Sequence, residues 1–177
     1  GMLQTLNRLT GTALVLVLTA TTATAQIPCV DGNAGGYPCQ NIDLMGYLSS
    51  DEVGGGDMND IWGWIDPSDG TEYAILGRST GTSFIDISDP ANPVMVANLP
   101  TNTVTSFWRD IKVHDNHAFI VSEASGHGMQ VVDLTQLGGI DNPPEDIEAD
   151  ALYTGWGNAH NIVINEETGF LYAVGSR

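Results

Sequence analysis

Arg109-Asp110-Ile111, the turn His114-Asp115-Asn116-His117 and the apolar run Ala118-Phe119-Ile120-Val121-Ser122 together form a unit that the chain repeats. Upstream, Asn59-Asp60-Ile61 leads through Asp66-Pro67-Ser68-Asp69-Gly70 to Tyr73-Ala74-Ile75-Leu76-Gly77. Downstream, His160-Asn161-Ile162 leads through Asn165-Glu166-Glu167-Thr168-Gly169 to Tyr172-Ala173-Val174-Gly175-Ser176. The three starts lie 50 and 51 positions apart. The connecting segments are rich in the residues that reverse a chain, and the runs between them in β-branched and aromatic residues.

The first two units continue alike. Phe84-Ile85-Asp86-Ile87 corresponds to Val131-Val132-Asp133-Leu134, and each is reached through a glycine hairpin, at Gly81 or Gly126. Asp89-Pro90-Ala91-Asn92-Pro93 then opens into Val94-Met95-Val96-Ala97. In the second unit a longer acidic stretch around Asn142-Pro143-Pro144 precedes Ala151-Leu152-Tyr153. Four short strands per fifty-residue period predict an all-β fold. The expected form is a partial β-propeller of about three four-stranded antiparallel blades, the third incomplete. The units fall at about 57–106, 107–157 and 158–177. No helical periodicity is visible within them. An unclosed array leaves apolar flanks open, so the sequence is expected to be part of a longer polypeptide.

Residues 1–25 differ in kind. Arg8 precedes the apolar run Thr12 to Leu18, and small residues follow to Ala23-Thr24-Ala25, the layout of a signal peptide with Gln26 as the new N-terminus. The apolar run is too short to cross a bilayer as a helix. The segment 26–56 then carries both cysteines, Cys29 and Cys39, around a Gly/Pro-rich loop, which in an oxidising compartment predicts a local disulfide. Export, whether secreted, periplasmic or to the cell surface, is the expected localisation.

Charge narrows the partners. Asp and Glu total 22 against 5 Lys and Arg, a net charge of −17. Such a chain is repelled by phosphate backbones, which excludes nucleic acid as a partner. It would meet a membrane only through the signal peptide or a C-terminal anchor outside this sequence. The acids are dispersed among apolar residues, which make up 42% of the chain, so the composition is that of a folded protein.

The units resemble the LVIVD-type repeat of bacterial surface propellers, in Phe84-Ile85-Asp86-Ile87-Ser88-Asp89-Pro90 and Val131-Val132-Asp133-Leu134. Trp108 to Val113, Ser122 to Val131 and Ala159 to Ile164 are similar to the choice-of-anchor B family of exported proteins, as are Cys29 and Tyr37-Pro38-Cys39. The resemblance implies export and cell-surface anchoring. It brings no established activity to transfer to a residue.

No catalytic motif stands out. There is no G-x-S-x-G elbow, no H-E-x-x-H and no phosphate-cradling glycine loop. His114 and His117 could pair on zinc or simply flank a solvated turn. Asp66, Asp69 and Glu72 could offer oxygens to calcium or simply shape their own turn. The positional candidates are stronger. If each unit begins with its innermost strand, Asp60, Arg109, Asp110, His160 and Asn161 line one central channel. Asp110 and His160 are then the candidate ligands for a divalent metal, Ca²⁺ or Zn²⁺. Alternatively, the aspartates satisfy backbone N–H groups or pair with Arg109. His127, between Gly126 and Gly128, could face a ligand or close a hairpin. Trp62, Trp64, Trp108 and Trp156 are expected to pack between blades.

Two functions fit. One is an exported scaffold or binding module for a surface or small-molecule ligand. The other is a metal-dependent hydrolase or lyase with its site in the central channel.

Overall fold

The computed structural model describes residues 26–177; the expected signal peptide, 1–25, lies outside the described residues. The architecture is all-β, with several antiparallel sheets, none of them closed. A small hairpin, β1 (Asn33–Ala34) and β2 (Tyr37–Pro38), sits inside the loop tied by the Cys29–Cys39 disulfide.

The first large sheet is a meander of β3 (Met58–Ile65), β4 (Glu72–Arg78), β5 (Gly81–Asp86) and β6 (Val94–Pro100). The second holds β7 (Arg109–His114), β8 (His117–Ser122) and β9 (Met129–Asp133). A short 3₁₀-helix, Leu134–Gly139, follows, which the strand pattern did not anticipate; the Asp133 carboxylate caps it by accepting from Thr135 N.

The chain next departs from expectation. β10 (Glu145–Asp146) leaves the second unit and pairs in parallel with β6, making the first sheet five-stranded rather than four-stranded and purely antiparallel. Ile147 N donates to Asn98 O at 2.8 Å, and Asn98 Nδ2 to Asp146 Oδ1 at 2.6 Å. The chain then returns as β11 (Ala151–Tyr153) to complete the second sheet in the order β11-β9-β8-β7. The third sheet is the hairpin of β12 (Asn161–Asn165) and β13 (Phe170–Val174).

The apolar runs do not alternate with polar residues because each strand feeds two cores. In β8, Ala118 and Ile120 join Ile75, Phe84 and Leu99 between the first and second sheets. Phe119 and Val121 point the other way, to Ile162, Leu171 and Ala173 of the third sheet. In β4, Tyr73 and Ile75 face the second sheet, while Ala74 and Leu76 meet Leu48 and Val53 of the N-terminal segment. A strand buried on both faces has no solvent side on which to place polar groups. On the third sheet one face is buried, while Val163, Phe170, Tyr172 and Val174 are exposed.

Sheet order brings the first strand of each unit together: β3 lies beside β7, and β7 beside β12. That contact positions the candidate site.

Candidate functional site

Asp60, Asp110 and Asn161 occupy matching places at the beginnings of β3, β7 and β12. The first two make the same bond. Asp60 Oδ2 accepts from Ile111 N at 2.8 Å, and Asp110 Oδ2 accepts from Ile162 N at 2.6 Å. Each carboxylate thus takes the amide one residue beyond its counterpart in the next sheet. A charged acceptor for a backbone donor is a strong link and fixes the spacing of adjoining sheets. Of the alternatives that the sequence left open for these aspartates, the geometry supports the satisfaction of backbone N–H groups. Asp110 pairs with Lys112, at 2.7 Å, and not with Arg109. The Lys112 ammonium also sits over the Trp62 ring, 4.5 Å from its centre.

Five of the six candidates meet in one cavity of about 160 Å³. Asp60, Arg109, Asp110, His160 and Asn161 line it together with Asn59 and Trp108. Asn59 was missed as a site residue although it stands at the register of Arg109 and His160. Its Nδ2 donates to Arg109 O at 2.9 Å, another link between β3 and β7. His160 Nδ1 is paired with Glu123 Oε1 at the rim, and the Trp108 ring lies 6.0 Å from the imidazole.

The sixth candidate, His127, does not line the cavity but contacts Arg109, which does. It is fully buried, and its Nε2 lies 3.0 Å from Arg109 Nη1. A guanidinium only donates, so Nε2 must accept and the ring proton sits on Nδ1, which faces Gly128 O at 3.2 Å. Burial first, and the Arg109 charge among the lesser causes, pushes the His127 pKa down to about 4. Arg109 is itself buried; desolvation and the nearby Arg78 charge lower its pKa to about 10, so it stays cationic at neutral pH. Asp60 is shifted upward, chiefly by burial and secondarily by the Asp110 charge, against the pull of its bond from Ile111 N.

The cavity is lined by two carboxylates, two carboxamides, an imidazole, an indole and Arg109. That set can recognise a polar ligand through hydrogen bonds and stacking. Its lining contributes no Ser, Thr or Cys nucleophile. Asp110 and His160, the candidate metal ligands, are engaged with Ile162 N and Lys112, and with Glu123. Among the described residues, no group of three His, Cys, Asp or Glu side chains is placed to hold a metal ion.

The remaining candidates serve local structure. His114 and His117 face each other across a two-residue turn whose Asp115 and Asn116 have φ of 48° and 60°. Asp66 Oδ1 accepts from Ser68 N and Asp69 Oδ1 from Thr71 N, each within its own turn. Trp64 packs between sheets and donates to Asn116 Oδ1, and Trp156 packs against the second core. Trp62 and Trp108, expected to pack likewise, are 42% and 49% exposed.

Comparison with protein-family models, with curated proteins and with solved structures finds no match to this chain. Its own geometry therefore carries the functional argument. No helix among the described residues is long and apolar enough to cross a membrane.

Proposed function

We propose that this chain belongs to an exported β-propeller that acts as a scaffold or binding module. Its ligand meets the cavity where the inner strands begin. One observation carries the reading: the carboxylate-to-amide link from Asp60 to Ile111 recurs from Asp110 to Ile162, at separations of 51 and 52 residues. A bond that repeats with the sequence period describes units related by one constant step, the relation between neighbouring propeller blades. Asn161 would offer the same acceptor to a further unit. The Cys29–Cys39 disulfide supports an oxidising compartment. The resemblance to choice-of-anchor B proteins adds surface anchoring. With its carboxylates spent on holding sheets together, the cavity is suited to recognition.

The test is a ligand screen on the natural chain, read by Trp108 fluorescence. Small polar ligands that bind, lose affinity in Asn161→Ala and are recovered chemically unchanged support the module. Conversion of a bound ligand to product would overturn it. So would stoichiometric metal that is present in the natural chain and lost in His160→Ala.

A further inference from the structure

The core between the second and third sheets is filled over less of its width than the core before it. On the first sheet Phe84, Ala97 and Leu99 are 0%, 0% and 1% exposed. They share their core with Val132 of β9 and with Leu134 and Leu137 of the helix that follows it. Val131 of the second sheet stands at the repeat position of Phe84. Strand pairing extends the match: Ala97 lies opposite Phe84 as Ala151 lies opposite Val131, and Leu99 opposite Thr82 as Tyr153 opposite Met129. Yet Val131 is only half-buried, Ala151 is exposed, and Tyr153 is 48% exposed. Among the described residues the third sheet has two strands, β12 and β13, and no third strand to cover this shelf.

The open edge of β13 adjoins the shelf. Val131 packs in one core with Leu171 and Ala173 of β13, and the Tyr153 ring lies 4.6 Å from that of Trp156 in the same core. Val174 O accepts from His160 N on the β12 side. Successive residues of an antiparallel strand turn their backbone groups to opposite edges, so Leu171 and Ala173 present N–H and C=O to the open side. In β8 the matching residues, Ala118 and Ile120, stand opposite Val132 and Gln130 of β9. Open edges are ordinarily guarded by charge or proline. β12 and β13 carry neither, in a molecule of net charge −17.

We propose that this step is a strand-acceptor site: it takes an extended segment of another polypeptide, antiparallel to β13, with branched aliphatic side chains at alternate positions turned onto Val131, Ala151 and Tyr153. The two complete sheets define the chemistry of that segment. At this place each turns one pattern toward what precedes it, Ser83, Ile85 and Ile87 in the first and Gln130, Val132 and Leu134 in the second. A polar residue thus belongs opposite Ala173, and a branched aliphatic opposite Leu171. Main-chain bonds to the free edge supply affinity, and the alternating side chains supply selectivity. A lone segment fits better than a second copy of this chain, which would bring its own second sheet to the side where β9 and β11 already lie. The site shares no residue with the cavity, so the inference goes beyond the proposed binding function and rests only on the repeat of the sheets.

The probe is a fluorescent synthetic peptide copying Gly126–Leu134, titrated into the full natural chain and read by anisotropy. Saturable binding is expected, with amide exchange at Leu171 and Ala173 slowed by about tenfold or more. Ala173→Pro in the chain deletes a donor of the open edge but no bond to β12, and should weaken binding by about tenfold or more. A peptide carrying Val132→Lys, which sets a charge on the shelf, should bind more weakly as well. No binding would overturn the site, as would binding that Ala173→Pro leaves unchanged or exchange slowed only in other strands. A chain that is dimeric and already protected at Leu171 and Ala173 before peptide is added would overturn it in favour of a second copy. If Ala173→Pro does not fold, the altered peptide decides, and undiminished binding of Val132→Lys overturns the proposal.

Discussion

Arg109 donates through Nη1 to the Nε2 of His127 at 3.0 Å, and both side chains are buried. Burial disfavours the charged imidazole most, and protonation would also set two cations face to face, so the folded state holds His127 neutral. Its pKa falls from the ordinary 6.5 to about 4. The unfolded chain therefore binds a proton that the native chain refuses between these values. Stability is greatest above pH 6.5 and declines as pH falls toward 4, by roughly 3 kcal/mol from this group alone. Urea titrations at pH 7 and pH 5 should show the loss. The difference should shrink in His127→Gln, and the window above pH 5 keeps most carboxylate titration out of the comparison.

The aspartate links between sheets predict a graded response. Asp110→Ala removes the acceptor for Ile162 N and the partner of Lys112, and should cost about 2–3 kcal/mol. Asp110→Asn keeps an acceptor oxygen and should cost less than half as much. Urea midpoints of the two variants check the order, and equal losses would mean that charge, not the bond to the amide, matters at this position.

Core and flank should also part company. Ile120, with no exposed surface, packs between the first and second sheets, so Ile120→Ala should lose about 2–5 kcal/mol. Val163, 56% exposed on the third sheet, should tolerate Val163→Ser to within about 0.5 kcal/mol. Thermal denaturation of both variants under one condition makes the comparison.

Gly128 is required by its surroundings. It has φ of 66°, and a Cβ there would lie 2.3 Å from Tyr153 O on the neighbouring strand β11. Gly128→Ala should cost about 2 kcal/mol or more, combining left-handed strain with displacement of β11. Hydrogen exchange at Tyr153 should accelerate in that variant.

The Cys29–Cys39 loop spans ten positions and lies apart from the three apolar cores. Replacing both cysteines by serine should release about 2–3 kcal/mol of loop constraint. The effect should be local: faster exchange at Ile27 and Leu44, whose backbones pair across the loop, with Ile111 and Ile120 unchanged.

Much of this organisation was legible in the sequence. The recurrence of Asn59-Asp60-Ile61, Arg109-Asp110-Ile111 and His160-Asn161-Ile162 located the first strand of each unit and gathered five residues of the cavity. It could do so because a side chain placed by a repeating backbone inherits the repeat. The parallel strand β10 was not legible: Glu145 and Asp146 have low strand propensity and are held by backbone bonds to β6. The depth of Arg109 and His127 was hidden for another reason. Residue type argues against burying a guanidinium, and only the fold reveals the carbonyls of residues 78–80 that receive its neighbours. Asn59 was readable by register alone, since it stands at the place of Arg109 and His160.

The excursion through Glu145 and Asp146 has a bearing on the order in which the molecule can be assembled. As the chain is made from its N-terminus, the first sheet is left with a bare rim along β6 until residues nearly fifty positions later have emerged. Unpaired rims of this sort invite adhesion to other chains. The acidic, proline-bearing passage around Asn142-Pro143-Pro144 thus closes a vulnerable seam late, and a chain halted before it would be a sticky intermediate even though its first sheet was otherwise built.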